Sequence, residues 1–166
     1  MATNQPVILG EYSRTIDERY RLSIPPDMLE PLSIDEGKCV FAKERSGCIS
    51  LWSQSVWEAK VNTRISVAKQ KLQAGLLETE MSKVQLLGRL LSTRHEKVDL
   101  AGRGRVLIPE SFRDFLGVRP SKEDKSAGEV IVVGAAICVE IWQPEAWLKY
   151  LERRMPRFRK LIDVLS

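Results

Sequence analysis

The chain has 166 residues, a formal net charge of +4 and a sequence pI near 9.0, with 43% apolar and 29% charged residues. That balance is that of an ordinary folded domain and leans toward anionic partners such as nucleic acid. Residues 1–6 lack a basic-then-apolar signal pattern, and no run approaches ~20 apolar residues, so neither export nor a membrane span is expected. The three cysteines, Cys39, Cys48 and Cys138, are odd in number and have no CxxC spacing, which argues against a disulfide framework or zinc site.

Residues 7–16 read as a first strand. Asp17 and Glu18 turn the chain into a second, residues 19–24, closing a hairpin. Pro25 ends that strand and suits the first turn of a short helix to Leu32, with Met28, Leu29 and Leu32 on one side. Strands over 38–42 and 48–52 follow, around a turn at 44–47. Ser55 and Glu58 have capping-box spacing and predict a long helix with Trp57, Val61, Ile65, Ala68 and Leu72 on one face. Gly75 interrupts it, and a second helix over 78–91 carries Met81, Val84, Leu87 and Leu91. Residues 94–100 form the next strand, and a helix from Pro109 is stopped by Gly117. Strands over 129–133 and 137–142 close the pattern. A last helix starts at Pro144, ends or kinks at Pro156, and is followed by a tail, 157–166, that is basic and then apolar.

The order of elements repeats itself. Arg19-Tyr20-Arg21-Leu22-Ser23-Ile24-Pro25 is answered 84 positions on by Arg103-Gly104-Arg105-Val106-Leu107-Ile108-Pro109. Cys48-Ile49-Ser50-Leu51-Trp52 is answered 90 positions on by Cys138-Val139-Glu140-Ile141-Trp142, and each motif tryptophan is followed five residues later by another, Trp57 or Trp147. The growing offset puts about six extra residues in the second copy, in the polar run 121–128. Units of about 50 residues are marginal alone, so they are expected to share a core or pair with other copies. The divisions read as a first unit (7–54), a helical connector (55–93), a second unit (94–143) and a C-terminal helix and tail (144–166).

Gly10-Glu11-Tyr12, then Asp17-x-x-x-Arg21 with Ile24-Pro25, and later Arg105-Val106-Leu107-Ile108-Pro109 with Val139-Glu140-Ile141-Trp142, resemble the MraZ family of bacterial transcription regulators. The resemblance runs over roughly residues 8–151. It implies a mainly β, α+β fold of two AbrB-like swapped-hairpin barrel units joined and flanked by helices. It also implies a homo-oligomer, in the cytoplasm and at the nucleoid, that binds double-stranded DNA upstream of division and cell-wall genes. By that motif, Asp17, Arg21 and Arg105 carry over. Two positions depart from it: Tyr20 stands where the family has glycine before the motif arginine, and Ala101 stands where the second motif has an acidic residue.

The candidate DNA-binding residues are therefore Arg19, Arg21, Arg103 and Arg105, with Arg14 and Arg94 secondary. Guanidinium groups suit phosphates and guanine edges because they donate in a planar fork. Solvated or ion-paired arginines are the ordinary alternative, which the repetition weighs against. Asp17, repelled by phosphate, is read as orienting Arg21. The basic run Arg153, Arg154, Arg157, Arg159 and Lys160 reads as a solvated helix face, and the four tryptophans as packing. His95 is the only histidine and reads as a surface or turn residue, so no metal or cofactor constellation is expected. No phosphate loop, nucleophile elbow or triad is present, so neither an enzyme nor a small-molecule substrate is expected. The alternative function is an antitoxin-like or protein-interaction module whose main partner is another protein.

Overall fold

The structure, a computed structural model, describes residues 7–32, 34–73 and 77–165, and for 68, 71, 72 and 77–80 the backbone alone. Gly75, expected to break the connector, and the leading residues 1–6 lie outside that set, as does Ser166 at the end of the tail. The fold is mixed α+β. In chain order the elements are β1 (Glu11–Thr15), β2 (Arg21–Ser23), α1 (Pro26–Leu32), β3 (Lys38–Arg45), β4 (Cys48–Ser53), α2 (Gln54–Gln73), α3 (Leu77–Arg94), β5 (His95–Asp99), β6 (Arg105–Leu107), α4 (Glu110–Leu116), β7 (Glu129–Gly134), β8 (Val139–Trp142) and α5 (Pro144–Leu165).

Pairing runs across the repeat boundary. Six strands form one antiparallel sheet in the order β1-β7-β8-β4-β3-β5, and β2 pairs only with β6. Exchanging equivalent strands of the two copies (β1 with β5, β3 with β7, β4 with β8) returns the same order, so the copies are related by a pseudo-two-fold axis through the β4–β8 pair. The hairpin expected between β1 and β2 does not form. A tight turn joins them, with the Asp17 N–H donating to the Arg21 carbonyl at 3.1 Å. From there β1 goes to β7 and β2 to β6. Each strand thereby buries its apolar face in a core that neither half could enclose alone.

That core holds Leu22, Ile24, Met28, Phe41, Ile49 and Leu51 from the first copy. From the second it holds Val106, Ile108, Phe112, Val130, Val139 and Ile141. Phe41 and Phe112 meet at 6.1 Å between ring centroids. On the other face of the sheet the tryptophans repeat one another: Trp52 lies 5.8 Å from Trp57, and Trp142 lies 5.1 Å from Trp147. The Trp52 indole N–H donates to Ser50 Oγ, and that of Trp142 to the repeat-equivalent Glu140. Cys39, Cys48 and Cys138 are free and buried; burial pushes the thiol of Cys39 to about 11 and of Cys138 to about 12, so both stay protonated.

Four local expectations are corrected. The connector helix begins at Gln54, and its cap is Ser53, whose Oγ accepts the Val56 N–H at 3.4 Å; Ser55 already lies inside the helix. Arg94 is the last residue of α3 and not the first of a strand. Pro156 does not end α5, which continues to Leu165. Its missing N–H removes one intrahelical bond on an exposed face, and the rest of the ladder carries the helix through. His95, taken for a surface or turn residue, opens β5 half-buried, 5.5 Å from the Trp57 ring.

Phe112→Ala removes a ring that contacts the other copy's Phe41, so it is expected to cost about 3–5 kcal/mol of stability in urea denaturation. A loss under about 1 kcal/mol would show that the two copies do not depend on one core.

Candidate nucleic-acid interface

Period-two alternation sends Leu22 and Val106 into the core and leaves their neighbours outside. In the β2–β6 ribbon, Arg21 pairs with Leu107, Leu22 with Val106 and Ser23 with Arg105. Arg21 and Arg105 therefore share the outward face, two residue steps or about 7 Å apart along the ribbon. The ribbon is closed symmetrically at its ends. The Ile24 N–H donates to the Gly104 carbonyl at 2.9 Å, and the Ile108 N–H to the Tyr20 carbonyl at 2.8 Å, contacts that differ only by the repeat offset. Arg19 and Arg103 lie exposed on the two turns that lead into the ribbon.

Asp17 organises the first turn. Its Oδ1 accepts the N–H groups of Arg19 and Arg21, each at 2.9 Å, while Oδ2 accepts from Arg21 Nε at 2.8 Å. Partial burial pushes the Asp17 carboxyl up, but the Arg21 N–H, the Arg21 guanidinium and the Arg19 N–H outweigh it and hold it below its ordinary 3.8. Arg21 stays half exposed. Among the described residues, the guanidiniums of Arg19, Arg103 and Arg105 form no hydrogen bond or ion pair within the protein.

The turns differ in how they reach the same bend. Tyr20, at the position of the family glycine, has φ 61, and its counterpart Gly104 has φ 76. The left-handed conformation there is thus required of whichever residue occupies the site, and tyrosine carries it at a cost of about 1 kcal/mol. The Tyr20 ring is covered by Arg113, whose guanidinium carbon lies 4.1 Å from the ring centroid while its Nε donates to the Ile108 carbonyl. Sequence reasoning missed Arg113, because a helix residue distant in the chain gives no local signal. In the second turn Arg103 is also left-handed, at φ 66. No carboxylate stands at the counterpart of Asp17, which is Ala101.

The added loop also lies at the first turn. Its 3-10 turn (Lys125–Gly128) supplies the Gly128 carbonyl that accepts the Ile16 N–H at 2.7 Å, and Lys122 pairs with Glu18 at 3.6 Å. Arg14, on β1, donates to the Ser13 carbonyl at 2.9 Å and lies over Tyr12. Arg94 is not brought to the second turn. It sits at the far end of β5, where it donates to the carbonyls of Lys43 and Glu44 at 2.7 and 3.1 Å.

The family model described as "MraZ protein, putative antitoxin-like" matches residues 93–163. "Transcriptional regulator MraZ" of Syntrophomonas wolfei is 27% identical over 159 residues, covering 96% of both chains. The protein of the same name from Moorella thermoacetica is 27% identical over 157 residues, covering 95% of each. By these matches the chain is similar to the MraZ regulators. The matched span takes in the second turn and α5, and the full-length relatives extend the likeness over both copies of the motif. A solved structure, the solution structure of PHS018 from Pyrococcus horikoshii, aligns over 82% of this chain and 90% of that one at 12% identity, with a TM-score of 0.31, too low to bear on the fold.

Gly104→Val would place a Cβ 2.5 Å from Leu29 Cδ1 and 3.1 Å from the Ile24 carbonyl at a positive φ. The expected loss is about 2–3 kcal/mol in chemical denaturation, and a value within about 0.5 kcal/mol of wild type would contradict the turn geometry. Because the Asp17 carboxyl is depressed when folded, its contribution is present above its ordinary 3.8 and fades as pH falls below that value. The protection of the Arg19 and Arg21 amides, taken relative to their intrinsic exchange rates, should fall there; unchanged protection would mean that Asp17 does not hold the turn.

Proposed function

We propose that this chain is a sequence-specific DNA-binding transcription regulator that works as a homo-oligomer, bound through the outward face of the β2–β6 ribbon. The observation that carries the reading is the shared exposed face of Arg21 and Arg105, flanked by Arg19 and Arg103. Four guanidiniums so grouped suit consecutive phosphates, with Arg21 or Arg105 turned to a base edge. Two-stranded ribbons enter the major groove in other regulators, so the width is suitable. The names of the relatives support a role in transcription. Oligomers would multiply weak contacts at repeated short sites through effective concentration. Arg14 is a candidate for an adjoining phosphate, while Arg94, spent on two carbonyls, is the weakest of the candidates.

A second reading has one observation in its favour. Leu86 and Leu90 on α3 are 53% and 44% exposed, an apolar surface that a protein partner could cover in an antitoxin-like role. A stoichiometric protein partner recovered without DNA would favour it.

The test is duplex binding with fragments selected from sheared genomic DNA. Arg21→Ala and Arg105→Ala are each expected to weaken binding at least about tenfold and to lower the salt slope by about one. Unchanged affinity and slope in both variants would overturn the DNA-binding reading.

A further inference from the structure

The first part of α5 packs on the sheet through Trp147 and Tyr150, whose rings lie 5.1 and 4.9 Å from that of Trp142. Beyond it, Leu148, Leu151, Met155, Phe158, Ile162 and Leu165 follow at spacings of three, four, three, four and three. That is the a/d spacing of a coiled-coil seam. Met155, Phe158 and Leu165 are 61%, 58% and 73% exposed. The equivalent helix of the first copy, α2, is followed by α3, whose Val84, Leu87 and Leu91 are half-buried. In α5 the seam beyond Leu151 is exposed.

We propose that this seam pairs antiparallel with α5 of a second copy of the chain. Charge decides the orientation. With Leu148 and Met155 at a positions, Glu152 and Arg159 fall at e, and Arg154 at g. A parallel pair would set Arg154 against Arg159 of the second copy, like against like. An antiparallel pair layers Leu151 on Ile162 and Met155 on Phe158 of the second copy, and sets Glu152 opposite Arg159 twice along the same flank. The outward positions then hold Arg153, Arg157 and Lys160, which keep their hydration, and Pro156 lies outside the seam, where its missing N–H disturbs no layer. This names the interface for the oligomer in the functional reading above and rests on the oligomeric part of it alone.

The experiment is sedimentation of the full chain without DNA, so that its outcome is separate from that at Arg21. Phe158→Glu changes a side chain already exposed in the single chain and should leave the circular dichroism of the fold unaltered. It is expected to shift the assembly to smaller species. Arg159→Glu alone is expected to weaken association about tenfold, and Glu152→Arg added to it to restore association. Stronger association of Arg159→Glu alone would establish the parallel arrangement and overturn the proposal. An unchanged mass for Phe158→Glu would overturn it as well. So would cosedimentation of the wild-type chain with anionic phospholipid vesicles, lost in Phe158→Glu while the mass in solution stays the same, since the basic amphipathic helix would then be a membrane-surface element.

Discussion

The fold depends on one constraint: the strand that carries each arginine motif is only three residues long and finds its partner in the other repeat. A three-residue strand cannot stand alone in water. By pairing with its counterpart, each of β2 and β6 satisfies its backbone groups and presses Leu22 or Val106 onto the common core. The same antiparallel register brings Arg21 and Arg105 to one outward face. Stability and placement of the candidate site thus have a single origin, and a lost ribbon would lose both.

Much of this was legible in the sequence, because the repeat is written in residue types with direct structural meaning. Alternation at Leu22 and Ile24, and at Val106 and Ile108, marked short strands with one buried face. The prolines marked where those strands end, and Gly117 ends α4 in the left-handed conformation, with its N–H donating to the Arg113 carbonyl. What could not be read was which strand pairs with which. Period two specifies a face but carries no address for a partner, so the adjacent strands β1 and β2 looked like a hairpin when each pairs with the other repeat. Capping misled in a similar way: the spacing of Ser55 and Glu58 pointed to Ser55, whereas the Val56 N–H is accepted by Ser53. Proline propensity pointed to a break at Pro156, yet one missing bond on a solvated face is too little to end a helix of this length.

The site was less legible than the fold. Spacing brought out the four ribbon and turn arginines, and Asp17 through its motif. It could not separate Arg94, whose guanidinium is engaged by the carbonyls of Lys43 and Glu44, from arginines that remain open to solvent. Nor could it reveal Arg113 over Tyr20, or the docking of the added loop against the first turn, since both are contacts between elements far apart in the chain.

Those contacts bear on how far the pseudo-symmetry extends. The backbone obeys it closely: the Ile24–Gly104 and Ile108–Tyr20 hydrogen bonds are the same contact written twice. The side chains do not. The first turn has a carboxylate fixing its arginine, an aromatic residue in place of glycine and a lysine-bearing loop beside it. The second has a glycine, an alanine and two consecutive left-handed residues. Arg21 is consequently held in one orientation, whereas Arg105 and Arg103 remain free to adjust, and ordering them on a ligand would cost side-chain entropy that Arg21 has already lost in folding. Two motifs identical in pattern therefore offer a ligand one preorganised and one adaptable cation. That division suits a surface in which one arginine selects and the other follows the phosphate backbone.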